Sequence, residues 1–105
     1  MRFVETSVFT VALRRHLDDE SYRALQVALL LRPAQGPLIQ GGAGLRKLRW
    51  AVPGRGKRGG VRLIYYWEPE SRTFYMLYLY AKNEQGDLTS DQLKVLAKLV
   101  REEFT

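Results

Sequence analysis

The sequence predicts a small α+β fold, an antiparallel sheet with its helices packed on one face. Three observations carry this expectation. Apolar residues recur at helical spacing from residue 7 to 31, alternate from 45 to 81, and return to helical spacing after 89. Gly and Pro gather at 33–44, where the period changes, and at 53–60, between two alternating runs. The length, 105 residues, suits one core, so residues 1–105 read as one domain.

Residues 2–5 read as a short strand. Thr6 and Ser7 can cap a helix in which Phe9, Leu13 and Leu17 share a face. Asp18 breaks that helix and caps the next, whose first turn holds Glu20, where negative charge suits the helix dipole. Tyr22, Leu25 and Leu29 form its apolar side, and Pro33 and Gly36-Pro37 end it. In the strand 45–52, Leu48, Trp50 and Val52 share one face, while Lys47 and Arg49 share the other. A Gly/Arg-rich hairpin loop follows at 53–60. In the strand 61–67, Arg62, Ile64 and Tyr66 oppose Val61, Leu63, Tyr65 and Trp67. After a turn at Glu68-Pro69-Glu70-Ser71, the strand 73–81 places Phe74, Met76, Tyr78 and Tyr80 on one face, continued by Lys82. Thr89 and Gln92 make a capping box for a last helix with Leu93, Leu96, Ala97 and Val100 at core spacing. The order is strand, two helices, three strands, helix, with the second sheet face left open.

Composition narrows the chemistry. The chain has no cysteine, which removes disulfides and thiolate sites and makes a reducing cytoplasm the default location. No apolar run approaches the ~18 residues that span a membrane. The net charge is +6. Between Glu20 and Glu68 there is no acid, while Arg23, Arg32, Arg46, Lys47, Arg49, Arg55, Lys57, Arg58 and Arg62 lie there. Such a run suits a polyanion, although a solvated basic surface has the same composition.

His16 is the only histidine, so acid–base chemistry by two histidines is excluded, and with no cysteine a zinc site is not expected. It reads as a surface residue of the first helix. The string Asp87-Leu88-Thr89-Ser90-Asp91 reads as helix capping, and no carboxylate group has the pattern of a metal site. Gly54-Arg55-Gly56-Lys57-Arg58-Gly59-Gly60 lacks the Gly-Lys-Ser/Thr ending of a phosphate-binding loop. What remains is a set of cations on strands: Lys47, Arg49, Arg62 and Lys82. On neighbouring strands they would line one surface. RNA brings its own nucleophile, the 2′-hydroxyl, so such a set suits metal-free phosphate chemistry. It suits phosphate binding alone equally well. Tyr65 and Tyr66 read as packing residues.

Gly44-Leu-Arg-Lys-Leu-Arg-Trp50, Gly54-Arg-Gly-Lys-Arg-Gly-Gly-Val-Arg-Leu-Ile-Tyr-Tyr66, Leu79-Tyr-Ala-Lys-Asn-Glu-Gln85 and Leu88-Thr89 together resemble the RelE/HigB family of bacterial toxins. The resemblance implies the toxin of a type II toxin–antitoxin pair, a HigB-like mRNA interferase. Such a toxin enters the ribosomal A site and cuts mRNA without a cofactor or metal, by 2′-hydroxyl attack that leaves a cyclic phosphate. Its implied partner is a HigA-like helix-turn-helix antitoxin, with operator DNA reached only through that antitoxin. Lys47 and Arg49 match the family's basic strand positions and would contact RNA, one of them as base. Arg62 would stabilise the phosphorane, and Lys82 would aid the leaving group. Arg46, Arg55, Lys57, Arg58 and Tyr80 would hold RNA. RelE itself has an Arg after the last strand and a Tyr near the C-terminus. Here Asn83 follows Lys82 and the final helix holds no Tyr. A catalytic tyrosine would therefore be Tyr80 or another strand residue, or be absent. Two rival readings are a ParE-like inhibitor of DNA gyrase and a non-catalytic RNA-binding or co-repressor subunit.

Overall fold

A computed structural model describes residues 1–52 and 60–104. The elements are β1 (Arg2–Glu5), α1 (Ser7–His16), α2 (Asp19–Leu31), β2 (Arg46–Trp50), β3 (Val61–Glu68), β4 (Thr73–Ala81) and α3 (Ser90–Leu99), which runs on into a π-helical turn, Val100–Phe104.

Helix starts follow the local chemistry. Thr6 caps α1 by accepting from the Phe9 N–H at 3.0 Å. The Asp18 carboxylate caps α2 by accepting from the Ser21 N–H at 2.7 Å, a bond that lowers its pKa. Thr89 and Gln92 form the expected capping box of α3. Thr6 also ties α1 to the sheet. Its N–H donates to the Met76 carbonyl at 3.1 Å, and its hydroxyl donates to the Leu77 carbonyl at 2.9 Å.

The sheet is ordered β1-β4-β3-β2. The three later strands are antiparallel as expected, but β1 lies parallel to β4, so the sheet is mixed. The two helices between β1 and β2 separate β1 from the meander and let it join the last strand's edge.

The helices also cover both faces, not one. Phe9, Leu13, Leu25 and Leu29 pack with Val61, Leu63, Tyr65, Phe74 and Met76. On the other side, Ala97 and Val100 from the C-terminal helix pack with Leu45, Ile64, Leu77 and Tyr80. The reason lies in β4, whose unbroken apolar run Phe74–Ala81 needs cover on both sides.

A bulge in β4 corrects a second expectation. Ile64 pairs with Tyr78 and Tyr65 with Met76, which leaves Leu77 as an extra residue. Phe74 and Met76 enter the first core, whereas Tyr78 and Tyr80 face the second. The simple alternation that placed all four together stops at Met76.

The loop after α2 is pinned by Tyr65, which is fully buried. Its hydroxyl donates to the Pro33 carbonyl at 2.8 Å and accepts from the Gly36 N–H at 3.0 Å. A Cβ at Gly36 would lie 2.9 Å from the Tyr65 ring, so this turn requires glycine.

Candidate active site

Alternation in β2 and β3 puts Leu48 and Trp50 against the first core and turns Lys47 and Arg49 to the other face. There Arg49 stands directly opposite Arg62, and Arg62 opposite Tyr80. Beside this row runs a second, Lys47–Ile64–Tyr78. Directly opposed residues share a face, with Cβ atoms about 5 Å apart. Three neighbouring strands therefore carry Lys47, Arg49, Arg62 and Tyr80 on one surface. Arg49 is exposed, Lys47 and Arg62 are half-buried, and Tyr80 is buried.

The segment between β4 and α3 adds an acid. Asp87 accepts from Lys47 Nζ at 3.2 Å, from the Tyr80 hydroxyl at 3.4 Å and from the Leu88 N–H at 2.8 Å, all on Oδ1. The Leu88 N–H and then Lys47 hold its carboxyl below the usual range. Tyr80 moves the other way: burial first, then the Asp87 charge, push its pKa up to about 12, partly offset by Arg62. Asp87 stays ionised and Tyr80 stays protonated at neutral pH. The position of Asp87 is held by Gln85, whose Nε2 donates to the Asp87 carbonyl at 2.8 Å and to Gln92 Oε1 at 2.5 Å. Helix capping is done by Thr89 and Gln92, so Asp87 is not explained by the cap to which the sequence assigned it.

Other expected residues fall elsewhere. Arg46 alternates to the far face and donates from Nη1 to the Ala34 and Gly36 carbonyls at 3.0 and 2.8 Å, fixing the loop after α2. Its neighbour Lys47 faces the cationic row, so alternation alone would have separated the two. Lys82 is exposed in the turn after β4, and its N–H donates to the Gly60 carbonyl at 3.1 Å, beside the start of β3. Arg55, Lys57 and Arg58 lie outside the described residues. His16 is not a plain surface residue: its side chain is 8% exposed, and Nε2 pairs with Glu84 at 3.2 Å. Glu84 also pairs with Arg15 at 3.1 Å. These three residues line a cleft of about 550 Å³ together with Tyr78 and Tyr80 of β4.

Arg49 and Arg62 are like charges placed directly across a strand pair, an arrangement that costs stability. It leaves two guanidinium groups, each a fixed fork of donors, side by side for an anion. Arg49→Gln should therefore raise folding stability by about 0.5 kcal/mol, read as a higher urea midpoint. Among the described residues no group of three or more His, Cys, Asp or Glu could hold a metal ion.

The molecule is a small basic α+β protein with cations held on one sheet face beside a buried tyrosine. Over residues 1–105 the chain matches the family described as the RelE toxin of the RelE/RelB toxin–antitoxin system, and it belongs to that family. It is the toxin of a toxin–antitoxin system, and its general partner is an antitoxin. Toxins of this family are generally ribonucleases.

Proposed function

We propose that this toxin is a ribosome-dependent mRNA endonuclease that cuts by metal-free 2′-hydroxyl attack. The observation that carries the reading is the row Arg49–Arg62–Tyr80 with Lys47 beside it on three adjacent strands. Charge builds on the phosphate oxygens as the 2′-oxygen attacks, and preorganised guanidinium groups stabilise that charge without a metal. Arg62, half-buried between Arg49 and Tyr80, is the group best held in position for this task. Arg49, paired across the ladder with Arg62, and Lys47 in the next row meet the same phosphate, and the exposed Lys82 supports the 5′ side. The cations Arg55, Lys57 and Arg58 grip the ribosome or the message. The antitoxin is HigA-like and covers the cationic face with an acidic segment, on grounds of charge complementarity.

Induced expression without the antitoxin should arrest growth, and primer extension should find mRNA cut within translated codons. The purified chain should make the same cuts on programmed ribosomes. Growth arrest with intact mRNA and an induced DNA-damage response would replace this reading with gyrase inhibition. Intact growth with retained RNA binding would replace it with a non-catalytic subunit.

A further inference from the structure

Cleavage by 2′-hydroxyl attack needs a group to take the hydroxyl proton. On the cationic face the arginines hold their protons at every relevant pH. Tyr80, with its pKa raised to about 12, keeps its own. His16 and Glu84 are paired with each other, and Glu84 with Arg15, on the α1 side. Among the described residues, Asp87 is the one carboxylate that touches the row, through Lys47 from β2 and Tyr80 from β4. Arg62 stands next to that tyrosine from β3. Asp87 is also built for one-sided use. Its three hydrogen bonds all fall on Oδ1, and among the described residues none falls on Oδ2. The side chain is 69% exposed, so the second oxygen is open to a substrate. Its backbone is fixed by Gln85, which Gln92 and Tyr78 hold in turn.

Resting on the endonuclease reading, we propose that Asp87 is the general base of the cleavage. Oδ2 takes the proton of the ribose 2′-hydroxyl as O2′ forms its bond to phosphorus. The P–O5′ bond breaks with its electron pair on O5′, which takes a proton from the Lys47 ammonium. The products are a 2′,3′-cyclic phosphate and a 5′-hydroxyl. After the products leave, Asp87 Oδ2 gives its proton to solvent and the Lys47 amine takes one back from solvent, so both groups regain their starting states and the 3.2 Å ion pair on Oδ1 reforms. Arg49 and Arg62 carry the charge of the phosphorane throughout.

The test is single-turnover cleavage of mRNA on programmed ribosomes by the full chain, its Asp87→Asn variant and Arg62→Ala. The asparagine keeps an oxygen for the Leu88 N–H but is not basic. Asp87→Asn should slow cleavage by roughly 10²–10³-fold with ribosome affinity unchanged within about threefold. The wild-type rate should stay level from about pH 6 to 8.5, because the base is ionised across that range. Two results would overturn the assignment while the endonuclease reading stands: an Asp87→Asn rate within about threefold of wild type, or a wild-type rate climbing about tenfold per pH unit, the mark of a lysine base. A loss confined to ribosome binding would overturn it too. Should the variant melt early, the wild-type pH profile decides alone. Wild-type protein that leaves mRNA whole would overturn the endonuclease reading itself, and Asp87's role with it.

Discussion

Arg62→Ala should lower mRNA cleavage on the ribosome by roughly 10²–10³-fold, the usual effect of removing one preorganised donor to a developing oxyanion. The fold should survive. Arg62 lies outside both buried clusters, and among the described residues its side chain makes one hydrogen bond, a weak one to the Val61 carbonyl at 3.3 Å. Removing it also relieves the like-charge pairing with Arg49, so the melting temperature should hold or rise slightly. Lysine at this position should restore only part of the rate, because a point charge lacks the fork that meets two phosphate oxygens at once. Single-turnover rates and thermal melts on the same preparations check both halves. Full cleavage by Arg62→Ala would remove this residue from the chemistry.

Phe74→Ala should have the opposite profile, a large loss of stability. Phe74 is fully buried, with its ring stacked on Phe3 at 4.8 Å and against Trp67 at 4.4 Å, and with Tyr65 at 6.2 Å. These contacts join β1, β3 and β4 across the first core. Removing the ring costs its transfer energy and leaves a cavity, together about 3–5 kcal/mol. That is a large share of the about 5–15 kcal/mol that holds a domain of this size. Urea denaturation should show the lowered midpoint with the slope unchanged. Activity, measured where the variant is still folded, should remain near wild type, since Phe74 faces away from Arg62 and Tyr80.

Much of this was legible in the residues. The caps at Thr6, Asp18 and Thr89 declare themselves because each needs a polar side chain at one position. The outward face of β2 follows from strict alternation, which separates Lys47 and Arg49 from Leu48 and Trp50. The same rule would have turned Arg46 away from the RNA-binding set. The β4 bulge left no such trace. In Phe-Tyr-Met-Leu-Tyr-Leu-Tyr every position is apolar or aromatic, so a shift of phase changes nothing visible in the pattern. The second helical layer was hidden for the same cause: burial on both faces has no period of two. Asp87 was missed because its neighbours Thr89 and Gln92 gave a complete local reason for the segment. Its contacts with Lys47 and Tyr80 span 40 and 7 residues, and the first depends on the tertiary fold alone.

Leu77 bears on how position is encoded in β4. Nine residues of that strand answer to eight of β3, and the surplus is absorbed inside the ladder, not in the turn Glu68–Arg72. Facing in this strand is thus a matter of parity counted from the bulge onward. A chain shortened by Leu77 would run from Met76 into Tyr78 in regular register and still present Tyr80 to Arg62. Shortening by Leu79 instead would rotate Tyr80 into the space of Phe9 and Leu13. Two deletions two residues apart, of the same side chain, would leave one protein with its cationic face complete and the other with that face stripped of its tyrosine.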